Sequence, residues 1–252
     1  WPTLAGCGGV LYPPRLNREQ SSSEATAHFK TTIARKTLGD RAKQSSIADL
    51  TGGMGIDSMA LAGMAAHVDY VEHDPELCHI MQHNCQTLGI TNINIHCADS
   101  MEWIEKNNSH FDLIFADPAR RDSKGRKVAA FRDCLPNILE CRQSIDSHCD
   151  WLMVKASPMM DIDKGVAELG NVAQVHAVAI KGECKELLFL CGGDGSETTI
   201  HAHNMTADGT LHSLTAFTRS HEAAAKATYC REAKRYLYEP DAAIMKCGPY
   251  KL

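Results

Sequence analysis

The chain has 252 residues, of which 44% are apolar and 23% charged, an ordinary globular composition that supplies a sizeable core. A formal net charge of -5 argues against a protein that coats nucleic acid indiscriminately, although it leaves room for a local basic patch. No apolar run approaches the roughly eighteen residues that span a bilayer and no secretory leader is visible, so a cytoplasmic protein with no membrane partner is expected.

The chain starts at Trp1 without a methionine and stops at Leu252 with no terminating signal, which suggests a segment of a longer protein. Residues 1 to 14 are rich in Gly and Pro and read as irregular. A serine among Ser21, Ser22 and Ser23, followed by Glu24, makes a helix start, and Ala25, Phe29, Ile33 and Leu38 keep near-helical spacing behind it. Ile47, Ala48 and Leu50 form an apolar run into a glycine turn, and an Ala/Met/Leu-rich helical pattern leaves it from Ser58 to Ala66. A second strand is expected at Val68–Glu72, a helix from Pro75 to Leu88, a third strand at Asn92–Cys97, a short helix over 101–106 and a fourth strand at Phe111–Ala116.

Residues 118–134 show no periodicity and carry six basic side chains, Arg120, Arg121, Lys124, Arg126, Lys127 and Arg132. Such a run reads as a solvated loop, or as a phosphate contact where it leaves the carboxyl edge of a strand. A helix over 135–146, a strand over 151–155 and a helix over 161–169 continue the alternation. Two extended runs, Val172–Lys181 and Glu183–Cys191, suit an antiparallel hairpin. Thr198–His203 and Leu211–Phe217 flank Ala207-Asp-Gly209 as a further hairpin, and a basic helix is expected from Ser220 to Tyr238.

The eleven cysteines are odd in number and contain no Cys-x-x-Cys pair, so buried reduced thiols are expected, among them Cys78, Cys85, Cys97 and Cys191. His79 and His83 stand four apart on a helix but lack a recognisable third ligand. No structural metal or disulfide is expected.

The stretch that organises the chain is Asp49-Leu-Thr-Gly-Gly-Met-Gly-Ile-Asp57. Strand, glycine turn and helix in that order read as the first crossover of a doubly wound α/β fold. A nicotinamide-binding turn would need Gly-x-Gly-x-x-Gly. Here the glycines are Gly52, Gly53 and Gly55, and an acidic residue precedes them, which suits a cationic ligand better than a pyrophosphate. Asp57 sits where it can cap the following helix. Glu72 lies about twenty residues past the first glycines, at a strand end where a carboxylate meets ribose hydroxyls in such folds.

Together with Gln20-Ser-Ser-Ser-Glu-Ala-Thr26, Asp117-Pro-Ala-Arg-Arg121, Lys155-Ala-Ser-Pro158 and Glu183-Cys-Lys-Glu-Leu187, this turn resembles the class I S-adenosylmethionine-dependent methyltransferases. The likeness extends to the bacterial type that carries a THUMP-like C-terminal domain. It covers most of residues 15 to 195. It implies a Rossmann-like sheet with an antiparallel terminal hairpin over 46–203. An N-terminal helical element would occupy 1–45, and 204–252 would lead into a truncated C-terminal domain. S-adenosylmethionine would be the cofactor, held by Asp49, Thr51, Gly52, Gly53, Gly55, Asp57, Glu72, Asp99 and Ser100, with Asp99 taking the adenine amine or capping a helix. Gln20–Ser23 would either cap their helix or fold over the cofactor mouth.

Related amino-methyltransferases carry Asp/Asn-Pro-Pro-aromatic at the end of the fourth strand. Asp117 and Pro118 match that pattern, but Ala119 and Arg120 depart from it, which weakens the inference to base-amine chemistry. Asp117 would accept the N–H of the attacking amine, and Arg120 would stack on a base or hold a phosphate. Arg121, Lys124, Arg126 and Lys155 are the other substrate-side candidates. The expected activity is methylation of a base nitrogen, guanine first, in ribosomal or transfer RNA. The alternatives are a protein or small-molecule methyltransferase and a non-catalytic RNA- or partner-binding relative.

Overall fold

The computed structural model describes residues 1–119, 130–229, 232 and 235–252. Nine strands form within them: β1 Ser46–Asp49, β2 His67–Glu72, β3 Ile93–Cys97, β4 Phe111–Ala116, β5 Cys149–Ala156, β6 Val172–Ile180, β7 Glu183–Cys191, β8 Thr199–Met205 and β9 Leu211–Thr218. They build one sheet in the order β3-β2-β1-β4-β5-β7-β6-β8-β9. The first five strands run parallel. β7 inserts antiparallel between β5 and β6, which is the expected terminal hairpin. Strand order reverses between β1 and β4, and in open α/β sheets the ligand crevice lies outside the carboxyl ends at that point.

The helices are α1 Pro2–Ala5, α2 Arg15–Gln20, α3 Glu24–Leu38, α4 Ile56–Ala62, α5 Pro75–Leu88, α6 Ser100–Lys106, α7 Arg142–Ser147, α8 Ile162–Leu169, α9 Arg219–Ala224 and α10 Ala242–Cys247. Local chemistry fixes their ends. Asp74 caps α5 through the Glu76 N–H at 2.9 Å, Pro75 pre-sets its first turn, and Gly89 ends it in the left-handed region at φ 68. Each face of the sheet is covered. Ile33, Ala34 and Leu38 of α3 pack with Leu61 of α4 against Ile47, Val68 and Leu113. On the opposite face Ile104, Ile145 and Ile162 pack against Ile114, Leu152 and Val154. Burial on both faces is why the central strands read as unbroken apolar runs rather than as alternation.

Several expectations need correction. The glycine-turn helix runs from Ile56 to Ala62 rather than from Ser58 to Ala66. The helix expected over 135–146 is reduced to α7, because Leu135 exchanges backbone hydrogen bonds with Ala119 (2.6 and 3.2 Å) and that pairing excludes helix there. The basic helix expected over 220–238 is only α9 among the described residues. Beyond it Tyr229, Tyr236, Leu237 and Tyr238 are exposed. A helix with no buried face at that length is marginal in water. Residues 1–14 contain α1, and α10 was not anticipated; its Ala243 and Cys247 are buried in the core shared with β6 and β8. Cys97 is exposed rather than buried. The expected boundary between residues 203 and 204 falls inside β8, and β9 extends the same sheet. Among the described residues no helix is long and apolar enough to cross a membrane.

Candidate active site at the carboxyl edge of the sheet

The glycine turn has two different reasons for its glycines. A Cβ on Gly52 would lie 2.3 Å from the Tyr70 ring, and one on Gly55 would lie 2.3 Å from the Met81 sulfur. Both positions are therefore dictated by protein packing. Gly53 differs: at φ +52, a Cβ there would meet only the Thr51 carbonyl at 3.6 Å. Its outer side is open, as a ligand approaching the main chain requires. The Tyr70 hydroxyl donates to the Gly53 carbonyl at 2.7 Å and the Gly53 N–H donates to Glu72 Oε2 at 2.9 Å, so β2 clamps the turn from both sides.

We expect Gly52→Ala to cost about 2–3 kcal/mol, since it must displace a buried ring. Gly53→Ala should cost only about 1 kcal/mol, for its left-handed backbone. Denaturant unfolding of the two variants checks this order, and equal losses would show that the ring can yield.

Glu72 is buried, and its carboxylate accepts from Gly53 N–H and, through Oε1, from Asp74 N–H at 2.9 Å. These bonds fix an anion at the end of β2 with acceptor capacity to spare. Asp99 is exposed and caps α6, its Oδ1 accepting from Met101 N–H (2.9 Å) and Glu102 N–H (3.0 Å), while Ser100 is buried in the first turn. Asp49 points inward. It accepts from Ser58 Oγ at 2.5 Å and Thr51 N–H at 3.0 Å, and burial pushes its pKa up to about 7. Thr51 in turn accepts the Asp117 N–H at 2.6 Å, which ties the glycine turn to the end of β4.

Asp57 does not cap α4 by its side chain. Gly55 occupies the N-cap in the left-handed region, and Asp57 instead joins a buried ionic network. It accepts from Ser22 Oγ at 2.7 Å and pairs with Lys30 Nζ at 3.0 Å. Lys30, 1% exposed, also reaches Glu186 at 3.1 Å and Ser22 Oγ at 2.9 Å. Burial opposes ionisation of both carboxyls. The charges of Lys30 and Lys155 overcome it at Asp57, which is held below the usual range, but not at Glu186, which stays above it. Lys155, on β5, pairs with Asp117 Oδ2 at 2.5 Å. Burial works against its ammonium, yet Asp117, Glu186 and Asp57 outweigh that and hold its pKa above the ordinary lysine range.

The structure thus brings together Thr51, Gly53 and Glu72 on one side of the crevice and Asp117 and Lys155 on the other. Pro118, next in the chain, is buried. Ser22, Lys30 and Glu186 belong to the same edge; motif spacing alone does not mark them as site residues, although they lie in the stretches 20–26 and 183–187 or one turn beyond. Ser23 caps α3 through Thr26 N–H at 3.2 Å while Ser22 reaches Asp57, so the segment both caps and covers. Beside it opens a cavity of about 800 Å³, with Ser22, Lys155, Lys181, Lys185 and Glu186 in its wall. Arg120, Arg121, Lys124, Arg126 and Lys127 lie outside the described residues.

A parallel sheet with β7 inserted antiparallel and a glycine turn after β1 is the fold of the class I S-adenosylmethionine-dependent methyltransferases. Residues 28–133 match the model of a family described as Conserved hypothetical protein 95. The chain superposes on a candidate methyltransferase from Porphyromonas gingivalis W83 with a TM-score of 0.85 and 30% identity, covering 99% of this chain and 61% of that one. A candidate class I S-adenosylmethionine-dependent methyltransferase from Listeria monocytogenes shares the fold at a TM-score of 0.57 and 11% identity, covering 80% and 69%. In sequence the chain is 31% identical over 97 residues to an uncharacterised RNA methyltransferase of Thermosynechococcus vestitus and 30% identical over 76 residues to one of Mycoplasma mobile. Those matches take in 38% and 30% of this chain but only 22% and 21% of the relatives' length.

Proposed function

We propose that this chain is the catalytic part of an S-adenosylmethionine-dependent RNA methyltransferase acting on a base nitrogen, with the guanine amine of ribosomal or transfer RNA as the first candidate. The observation that carries this reading is one sheet edge that holds both the open cradle of Gly53 and Glu72 and the Asp117–Lys155 pair. The cradle suits S-adenosylmethionine. The main chain of Thr51 to Gly55 would take its amino-acid end, Glu72 the ribose hydroxyls, and Asp99 with Ser100 the adenine. Asp49 serves from behind, by fixing Thr51 and Ser58. When bound, the cofactor supplies an electrophilic methyl group whose departure needs no acid.

Chemistry on the protein side is then mostly placement. Asp117 accepts an N–H of the exocyclic amine and so localises a lone pair that the ring would otherwise delocalise. Lys155 holds Oδ2 and fixes the plane of that carboxylate. The adjoining cavity has Lys155, Lys181 and Lys185 in its wall but offsets them with Glu19, Glu24, Glu186 and Asp208, so contact with a phosphate backbone falls to Arg120, Arg121, Lys124 and Arg126, which follow Asp117 directly in the sequence. The relatives described as RNA methyltransferases support RNA as the substrate class. Likeness to proteins with a THUMP-like C-terminal domain suggests that residues outside this chain help to read it.

Two measurements test the reading. Glu72→Ala should lower affinity for S-adenosylmethionine by calorimetry by about 1.5–3 kcal/mol, roughly 10- to 150-fold, the worth of hydrogen bonds to a charged group. Glu72→Gln, which keeps an acceptor, should lose less; unchanged affinity in folded Glu72→Ala would rule the placement out. Purified protein carrying this chain should methylate total RNA, with the modified nucleoside identified by mass spectrometry, and should bind RNA with a steep salt dependence. Salt-independent binding, or no RNA binding at all, would reject the nucleic-acid assignment while leaving the methyltransferase fold intact.

A further inference from the structure

Away from the crevice, β6 and β8 run parallel with His176 opposite His201 and Val178 opposite His203. Residues two apart on a strand share a face. The His201-x-His203 pair therefore joins His176 on one face of the sheet, beneath α3. Ring centroids lie 4.8 Å apart for His176 and His201, 5.2 Å for His176 and His203, and 6.0 Å for His201 and His203. His176 Nδ1 and His203 Nε2 approach to 3.0 Å, and one nitrogen from each of the three rings falls within 4.8 Å of the others.

This cluster is under-satisfied. His176 and His203 are 2% and 5% exposed, and His176 Nε2, His203 Nδ1 and His201 Nε2 are buried without a hydrogen-bond partner. Two neutral imidazoles can share one proton between them, but that arrangement leaves three buried nitrogens unsatisfied. Such atoms are rare in folded proteins and call for an explanation. Phe29 of α3 closes the cluster on one side, its ring 4.7 Å from that of His203 in an edge-on contact. Among the described residues no thiolate or carboxylate joins the three rings in the cluster.

We propose that His176, His201 and His203 bind one borderline divalent transition-metal ion, Zn²⁺ being the natural probe, and that this ion staples β8 to β6. Zinc sits about 2.0–2.1 Å from an imidazole nitrogen, so tetrahedral ligation puts ligand nitrogens roughly 3.3–3.4 Å apart. His176 Nδ1 and His203 Nε2, 3.0 Å apart, are close to that spacing; with His201 Nε2 as third ligand the ion would give that orphaned nitrogen a partner, and His201, partly buried, must swing inward by roughly an ångström or more. Burial keeps all three rings uncharged, which is the form that ligates; Lys36 nearby works in the same direction. Lys36 would also repel a dication, so moderate rather than extreme affinity is expected. Three histidines leave a fourth position for water on the side of His201. The bound ion would hold the β8–β9 hairpin to the rest of the sheet and seat Phe29, and with it α3, which carries Lys30 to the crevice.

Chelator-treated protein titrated with Zn²⁺ against a chromophoric competitor should take up one ion per chain, and Co²⁺ should give the visible absorption of a tetrahedral nitrogen-rich site. Zn²⁺ should raise the melting temperature. His201→Ala changes the least buried of the three side chains and should fold; it should lose the stoichiometric site, the cobalt spectrum and the thermal shift. His203→Gln should do the same, while His79→Ala and His83→Ala should retain all three. The proposal is overturned by the lack of one-to-one uptake, by uptake that survives His201→Ala, or by uptake lost in the surface variants.

Discussion

Lys30→Met should be among the most destabilising single changes available to this chain, lowering stability by about 3–5 kcal/mol, because it strands buried charge. Lys30 is 1% exposed and holds Asp57 and Glu186 at 3.0 and 3.1 Å. Removing the ammonium leaves two carboxylates that face only Lys155 at longer range. For a chain of this size each kcal/mol moves the melting temperature by about 2–4 °C, so a fall of roughly 10 °C is expected. Lys30→Met with Glu186→Gln should recover much of the loss, since the second change removes one stranded charge. The deficit should also narrow in acid. Glu186 has a raised pKa in the folded state, so protonation favours folding as pH falls, and more so without Lys30. Asp57 has a lowered pKa, so the unsubstituted protein loses that contribution over the same descent. A melting temperature within 2 °C of the parent, or a deficit that grows in acid, would show that the network carries little of the fold.

The network also marks where the sequence could be read and where it could not. Patterns local in the chain were legible: the strands β1 to β7, the glycine turn, the caps of α3 and α6, and Glu72 at a strand end. Those follow from period, composition and short-range spacing. Lys30 was not legible as a site residue, because a lysine one turn inside an amphipathic helix reads as solvated until Glu186, 156 residues away, is placed against it. The histidine cluster was hidden for the same reason: its third member comes from a neighbouring strand, and no spacing rule spans that register. The basic helix over 220–238 failed in the other direction. Its composition favours helix, but among the described residues beyond α9 Tyr229, Tyr236, Leu237 and Tyr238 stay exposed. Asp57 was misread because Gly55 in the left-handed region already ends the turn, which leaves the carboxylate free to face Lys30.

Asp117→Ala should cut turnover by about 10²–10³-fold, the usual worth of one preorganised hydrogen-bonding partner at a reacting centre. Affinity for S-adenosylmethionine should stay close to that of the parent. Asp117 sits at the end of β4, its N–H bonded to Thr51 and its carboxylate held by Lys155 at 2.5 Å, so its position is set before any substrate arrives. On the chemistry we propose, an acceptor that localises the amine lone pair matters most as the new bond forms, and such an interaction affects turnover rather than ground-state binding. Asp117→Asn separates the two parts of that role. Its amide oxygen can still accept an N–H, but it gives up the charge that pairs with Lys155. Turnover should therefore fall less in Asp117→Asn than in Asp117→Ala. Lys155→Met should produce a loss of its own through a mispositioned Asp117, and Lys155→Met with Asp117→Ala should be little worse than Asp117→Ala alone. Single-turnover methylation with each variant, alongside calorimetric cofactor binding, measures all four. Turnover of Asp117→Ala within threefold of the parent would remove Asp117 from the chemistry and shift attention to the basic residues that follow it.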